Sequence, residues 1–208
     1  MQCALNKAEQ LTSLLSSFNT PFDIVLLTET WYRHDSDVIQ IPGYNSFYLN
    51  RTWQRGGGVA LLAKEGCTCV LLSEHCLSNS TIEMLTVQSG KFSFSVVYRP
   101  PHANLSDFFG YFEREITFLS DNYLSYIGGD FNIDMATYNP AQQQMLITIQ
   151  SANFNNVIHR PTRVTARTSS TLDLIITNHA TALQSGCIAA DISDHLPVFL
   201  RVKKKDLS

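Results

Sequence analysis

The chain has 208 residues, a formal net charge of −3, 44% hydrophobic residues and 16% charged residues. This length and composition predict one soluble globular domain with a substantial core and exclude a disordered, fibrous or membrane-spanning chain. The acidic total excludes the overall positive field of a simple nucleic-acid coat protein, so any polyanion must be held by a local group of residues.

The predicted elements alternate between helices and strands. Apolar residues recur at helical spacing from Leu5 to Phe18, and Pro21 separates this helix from a strand at 23–28. Further strands are predicted at 58–63, 69–72, 81–88, 92–98, 123–127, 171–176 and 197–202, with helices at 106–120 and 139–152. Because the strands between 58 and 98 follow one another without helices, antiparallel pairing is favoured. We predict an α/β fold of the α+β type, a four-layer sandwich with two mixed, largely antiparallel sheets packed together and helices outside.

Four short segments rich in acids and amides are spread along the chain. They are "LTET" at 27–30, "VYRPP" at 97–101, "GGDFNID" at 128–134 and "ISDHLPV" at 192–198. In three of them an apolar strand runs directly into a polar residue, namely Glu29, Tyr98 and Asp130. Rigid strand ends would direct these groups into one cleft, which is how an active site is assembled from distant parts of a sequence.

The residue types in these segments suit metal-assisted attack on a phosphate ester. Carboxylate and amide oxygens are ligands that Mg²⁺ or Mn²⁺ accepts far better than zinc does. His195 follows Asp194, and a histidine held by a carboxylate can act as a general base or bind phosphate. Each residue alone also has a structural interpretation, since Gly-Asp-Phe-Asn is rich in turn formers. Their joint occurrence favours the catalytic interpretation.

A family resemblance rests on five segments: "TET", "YRPP", "GGDFNID", "STLDLIITN" and "SDHLPV". In this order they resemble the endonuclease/exonuclease/phosphatase superfamily, most closely the apurinic-type endonuclease domain of LINE-class (non-LTR) retrotransposons. The resemblance covers essentially the whole chain. Each segment is weak alone, but the set is specific.

The resemblance implies roles for the candidate metal and catalytic residues. Glu29 would be the main metal-binding carboxylate, with Asp194 supporting the metal. Tyr98 would contact the scissile phosphate, and Asn132 would hold the phosphate beside Asp130. Asp130 would orient or deprotonate the attacking water, or protonate the leaving oxygen.

Further residues are implied on the phosphate side of the site. Asp173 would pair with His195 and fix its ring, while Thr162 and Ser170 are candidates for phosphate contact. Arg163 lies in "HRPTRVTART" at 159–168, which has three arginines and no acid. This segment predicts contact with backbone phosphates, although a solvated loop is the alternative.

The segment "NRTWQRGGG" at 50–58 places Arg51, Trp53 and Arg55 beside three glycines. Trp53 could offer a stacking surface to DNA. Such glycines more often shape a bulge or a tight hairpin entry, and we favour that second interpretation.

One departure from the family concerns the start of the chain. The family has an asparagine at the end of its first core strand, which helps Glu29 to bind the metal. Here that position would fall just before Met1, and Asn6 matches the start of the following helix instead. We therefore predict one domain over residues 1–208 that lacks the first core strand, either because the sequence is truncated at its N-terminus or because this element has been lost.

The function predicted is a Mg²⁺-dependent phosphodiesterase, with Mn²⁺ as the other candidate ion, that nicks DNA as in retrotransposon target-site cleavage. Alternatives on the same fold are an apurinic-site repair nuclease or a phosphatase of small phosphoesters. An alternative of another class is a catalytically impaired DNA-binding transposon remnant. We expect a monomer with DNA as partner, a reverse transcriptase in the same polyprotein, and a nuclear or cytoplasmic location without a signal peptide.

Overall fold

The structure, a computed structural model, describes residues 7–179, 182–190 and 192–203. The α-helices in these ranges are Ala8–Ser16 (α1), Leu105–Asn122 (α2) and Pro140–Ser151 (α3). The side chains of Asn104 and Asn139 cap α2 and α3 by accepting backbone N–H groups of the first turn, and Pro140 fits the first helical position. None of the described helices has the length and apolarity that a membrane crossing requires.

The strands of the described residues are short and follow the chain in order. They are Ile24–Thr28 (β1), Tyr44–Leu49 (β2), Val59–Lys64 (β3), Val70–Leu71 (β4), Leu77–Ser78 (β5), Glu83–Ser89 (β6), Phe92–Tyr98 (β7), Leu124–Asp130 (β8), Asn155–Asn156 (β9), Arg163–Val164 (β10), Ser169–Ser170 (β11), Asp173–Thr177 (β12), Ala182–Cys187 (β13) and Val198–Val202 (β14).

The strands form two main sheets and two separate hairpins. The larger sheet has seven strands in the order β4-β6-β7-β8-β12-β9, with β5 also paired to β6. Its pairs are antiparallel except for β7 and β8, which run parallel because α2 carries the chain back between them. The smaller sheet has the antiparallel order β1-β3-β2, while β10-β11 and β13-β14 are two-stranded.

Three apolar clusters order these elements into layers. Helices α2 and α3 pack on one face of the larger sheet, with Phe112 and Met145 fully buried against Ile127. The opposite face of that sheet packs on β3 of the smaller sheet, and α1 covers the outer face of the smaller sheet through Leu11 and Leu15. The result is helix, sheet, sheet, helix, and the predicted four-layer sandwich is confirmed.

The element boundaries differ from the prediction in a few places. Strands β2 and β13 were not predicted, because "YNSFYL" and "ALQSGC" mix polar and apolar residues without clear alternation. The first helix begins at Ala8, and Leu5 lies outside the described residues. Within the described residues β1 is an edge strand, whereas the absence of a first core strand stays a prediction.

Candidate active site

Four polar side chains stand in one row across adjacent strands of the larger sheet. Glu83 on β6 lies opposite Tyr98 on β7, Tyr98 opposite Asp130 on β8, and Asp130 opposite Asp173 on β12. Residues directly opposite each other point to the same side of a sheet. Tyr98 belongs to the cluster between the two sheets, so this polar row faces the smaller sheet.

Glu29 reaches the polar row from the end of β1. The hydroxyl of Tyr98 donates a hydrogen bond to Oε1 of Glu29. Glu29 has a left-handed backbone, with φ of 54°, and the next residue, Thr30, donates its N–H to the carbonyl of Gly58 at 3.1 Å. Burial and the Glu29 carboxylate raise the pKa of Tyr98 well above its usual range. Tyr98 is therefore a hydrogen-bond donor at every physiological pH.

Asp130 occupies the centre of the site and is buried. Its Oδ1 accepts the N–H of Asn132 at 3.0 Å, and the side-chain amide of Asn132 donates to the carbonyl of Arg99 at 2.8 Å. Asn132 adopts φ of 48°, a conformation that asparagine tolerates better than most residues. Burial, followed by the nearby charge of Asp173, raises the pKa of Asp130 to about 7. Asp130 can therefore both accept and release a proton near neutral pH.

Asp173 and His195 form a hydrogen-bonded pair, with 2.7 Å between Oδ2 of Asp173 and Nδ1 of His195. Burial alone would lower the pKa of His195, but the hydrogen bond to Asp173 and the charges of Asp173 and Asp130 raise it. The segment of His195 is also fixed, because Oγ of Ser193 accepts the His195 N–H at 3.1 Å. This pairing leaves Nε2 as the imidazole nitrogen that can meet a substrate.

A group of atoms suited to a metal ion lies at the end of the polar row. Ligand atoms of Asp130, Asp173 and His195 all lie within 4.8 Å of one another, the only such group of three in the described part of the chain. Two carboxylates in this group, with Glu29 beside them, suit a hard divalent cation such as Mg²⁺ or Mn²⁺. The group does not include the predicted metal residues Glu29 and Asp194.

Asp194 is engaged elsewhere, in an ion pair with Arg163. Its Oδ2 accepts Nε of Arg163 at 3.0 Å and Nη2 at 2.7 Å, and the side chains of Asp194 and Arg163 are 59% and 44% exposed. Arg163 also pairs with Ser170 across the β10-β11 hairpin and forms a backbone bridge to His195. The ion pair therefore links the hairpin to the histidine segment, at the solvent side of the site.

Thr162 lies in the interior, beside the start of β12. Its side chain has no exposed surface, and its Oγ1 accepts the backbone N–H groups of Leu172 and Asp173, both at 3.0 Å. Both backbone partners hold the hydroxyl oxygen in the interior. Thr162 therefore fixes the start of β12 and thereby the position of Asp173. Direct phosphate contact by Thr162, Ser170 and Arg163 stays a prediction.

Glu83, the first member of the polar row, is not among the residues predicted from the sequence. The residue interrupts an apolar strand, "TIEMLTV", and a carboxylate in that position must find buried partners. Strands β6 and β7 have the same length, so the first residue of β6, Glu83, pairs with the last residue of β7, Tyr98. This pairing, together with the buried carboxylate, could have identified Glu83.

The fold and the site together define a class of protein. Two packed sheets between helices form the fold of the endonuclease/exonuclease/phosphatase superfamily. A family model described as endonuclease-reverse transcriptase matches residues 92–199. The match covers more than half of the sequence, and the chain belongs to this family. Among curated proteins, none matches the chain significantly.

Solved structures of nucleases share the fold. A variant of the 3′ phosphatase NExo from Neisseria, bound to a product DNA hairpin, has a TM-score of 0.74 at 14% identity, covering 97% of this chain and 96% of its own. The endonuclease domain of TRAS1, a telomere-specific non-LTR retrotransposon, has a TM-score of 0.70 at 12% identity, covering 96% and 92%. The AP endonuclease LMAP from Leishmania major has a TM-score of 0.73 at 13% identity, covering 95% and 82%.

Proposed function

We propose that the protein is a metal-dependent phosphodiesterase that nicks DNA. The single observation that carries this proposal is Asp130, a buried carboxyl with a pKa of about 7 that lies beside the hydrogen-bonded Asp173–His195 pair. A bound Mg²⁺ or Mn²⁺ would supply Lewis-acid neutralisation of phosphoryl oxygens. Glu29 and Asp173 are the carboxylates available to hold it, and Asp130 lies beside them.

The side chains of this site divide the remaining work. Asp130 takes a proton from the attacking water, because its carboxyl exchanges protons near neutral pH. His195, held at Nδ1 by Asp173, offers Nε2–H to a non-bridging phosphate oxygen. Asn132, anchored to the Arg99 carbonyl, uses its other amide hydrogen for the same phosphate. These donors converge where negative charge grows in the transition state. The Tyr98 hydroxyl donates its one hydrogen to Glu29 and so orients the carboxylate that would hold the cation.

The proposal of DNA as substrate draws on the relatives. The Neisseria protein was solved with a DNA hairpin, and TRAS1 is a telomere-specific retrotransposon. The family name pairs an endonuclease with a reverse transcriptase, so we expect a reverse transcriptase in the same full-length polyprotein. A monomeric domain and a nuclear or cytoplasmic location complete the proposal.

Nicking of supercoiled plasmid tests this function. The purified domain should convert plasmid to the open circle in Mg²⁺ but not in EDTA, and Asp130→Ala should slow the conversion at least ~10²-fold. Asp121→Ala, an exposed position on α2, is the matched control. Plasmid that stays supercoiled with the parent protein in both Mg²⁺ and Mn²⁺ contradicts the proposal.

Three further substrates separate the alternatives. Cleavage confined to an oligonucleotide with an apurinic site would identify a repair nuclease. Release of phosphate from a 3′-phosphorylated end or a small phosphoester, without nicking, would identify a phosphatase. Binding of DNA with no turnover of any substrate would identify the remnant.

A further inference from the structure

The polar row continues beyond the residues that the proposed chemistry uses. Glu83 is only 1% exposed, and its carboxylate accepts the N–H of Gly58 at 2.7 Å as well as Nε of Arg51. A buried carboxylate needs such partners, because a charge left unpaired in the interior is strongly destabilising. Glu83 thus fixes one edge of the Arg51 guanidinium directly beside Tyr98.

The Arg51 guanidinium lies between two aromatic rings. Its Cζ is 5.7 Å from the ring centre of Tyr98 and 5.5 Å from that of Trp53, distances at which a cation is attracted to a ring face. The Arg51 side chain is 9% exposed. Arg51 therefore lies over the ring of Tyr98 in a largely buried position.

Gly57 leaves the space that this arrangement needs. Its φ is +70°, and a Cβ at this position would lie 2.2 Å from Cζ of Arg51. Any other residue would collide with the guanidinium and would also be strained. Gly57 therefore lets the loop between β2 and β3 pass directly beside the Arg51 guanidinium.

The same loop holds the other partner of Tyr98. The carbonyls of Gly58 and Gly57 accept the N–H groups of Thr30 at 3.1 Å and Trp31 at 2.9 Å, the two residues that directly follow Glu29. Arg51 also neutralises Glu83, so that the negative charge beside Tyr98 remains on Glu29. Arg51, held by Glu83, therefore contacts the donor side of the Tyr98–Glu29 hydrogen bond, and the glycine loop binds the backbone next to its acceptor.

We propose that Arg51, held by Glu83, is a positioning residue that keeps the Tyr98 hydroxyl on Glu29. Arg51 acts through Tyr98 and does not itself contact the phosphate. This inference rests on the proposed function where it is tested by nicking activity. The test by NMR of Tyr98 does not depend on turnover.

A double-mutant cycle on nicking tests the coupling. Arg51→Met should lower kcat at least ~10-fold and leave KM for DNA within ~3-fold, because transition-state groups lose alignment while binding persists. In a Tyr98→Phe background the same substitution should cost less than ~3-fold, since its target is already gone. Arg114→Met on α2, whose side chain is 61% exposed, is the matched control and should leave kcat unchanged.

Two other outcomes would overturn the inference. Additive losses in the cycle would show that Arg51 does not act through Tyr98. A raised KM with a flatter salt dependence would show that Arg51 contacts a DNA phosphate instead. If Arg51→Met fails to fold, the double variant Glu83→Gln/Arg51→Met removes both buried charges. This double variant should fold but should not recover kcat. Full recovery of kcat would reject a positioning role for Arg51.

Tyrosine labelled with ¹³C at Cζ gives the readout that is independent of activity. The Tyr98 signal is assigned from Tyr98→Phe, and Glu29→Gln provides the position expected when the hydrogen bond is weakened. Arg51→Met should move the Tyr98 signal towards that of Glu29→Gln while the exposed Tyr138 signal stays in place. A Tyr98 signal that keeps its parental position overturns the inference even if the protein never nicks DNA, and failure of nicking alone overturns only the proposed function.

Discussion

The two halves of the site differ in how their residues are held. The polar row of Glu83, Tyr98, Asp130 and Asp173 is fixed by continuous strand pairing. Arg163 and Asp194 lie on a hairpin and a loop, and they hold each other through an exposed ion pair. Strand register fixes an atom far more closely than an exposed ion pair does, since the latter contributes about 0–1 kcal/mol. The row is therefore suited to chemistry, and the loop half to adjustable contact with a substrate.

The largest effect should come from the centre of the row. Asp130→Ala should reduce nicking at least ~10²-fold and leave DNA affinity nearly unchanged, because the carboxyl acts on the proton of the attacking water. Single-turnover nicking and binding of the same duplex in Ca²⁺ or EDTA separate the two quantities. Equal nicking by Asp130→Ala and the parent would exclude the role assigned to Asp130.

Asp173→Asn should follow with a loss of about 10–10²-fold, since the amide no longer holds His195 in the same protonation state. The alkaline limb of the pH–rate profile should also move to lower pH, because His195 donates in its protonated form and the Asp173 carboxylate that raises the pKa of His195 is gone. His195→Ala is the reference and should lose at least as much activity. A pH profile identical to that of the parent would mean that the pair does not govern catalysis.

The ionisation of Asp130 and His195 should also make the free energy of unfolding of the metal-free protein depend on pH. The folded pKa of Asp130 lies near 7, above its ordinary value of 3.8, so the folded state binds this proton more tightly and stability falls as pH rises from about 4 to 7. The raised pKa of His195 acts with the same sign, because its contribution is present below 6.5 and is lost as pH rises through the folded value.

Melting in EDTA between pH 5 and 8 measures this dependence. Asp130→Asn should remove most of the fall and stabilise the protein at pH 8 by on the order of 3 kcal/mol. Mg²⁺ should restore stability to the parent at pH 8 and do much less for Asp130→Asn. A parent melting temperature that rises from pH 5 to 8 in EDTA would contradict the assigned burial of this charge.

The two halves of the site also differ in how much of their arrangement could be predicted from the sequence. Asp130, Asn132 and His195 lie in short segments with a recognisable order, and Tyr98 ends an apolar strand, so their proximity could be inferred. The partner of Asp194 could not, because an exposed ion pair between residues 31 positions apart leaves no periodic signal. The burial of Thr162 could not be inferred for a related reason: the hairpin around this residue brings its hydroxyl to two backbone N–H groups that lie about ten residues later in the sequence. Glu83 could be recognised as part of the row only from the strand register, which places it opposite Tyr98.

The smallest effect should come from the loop half, through Arg163. Arg163→Ala should weaken DNA binding only about 2–5-fold and reduce the slope of log K against log salt by about one, because a phosphate must compete with Asp194 for the guanidinium. Removing both partners with Arg163→Ala and Asp194→Ala should weaken binding less than the single change, since the unpaired carboxylate that repels phosphate is gone as well. Salt titrations of a fluorescent duplex in EDTA measure all three proteins, with Arg114→Ala as control. An unchanged salt slope in Arg163→Ala would reject phosphate contact and leave the ion pair as a link between the hairpin and the His195 segment.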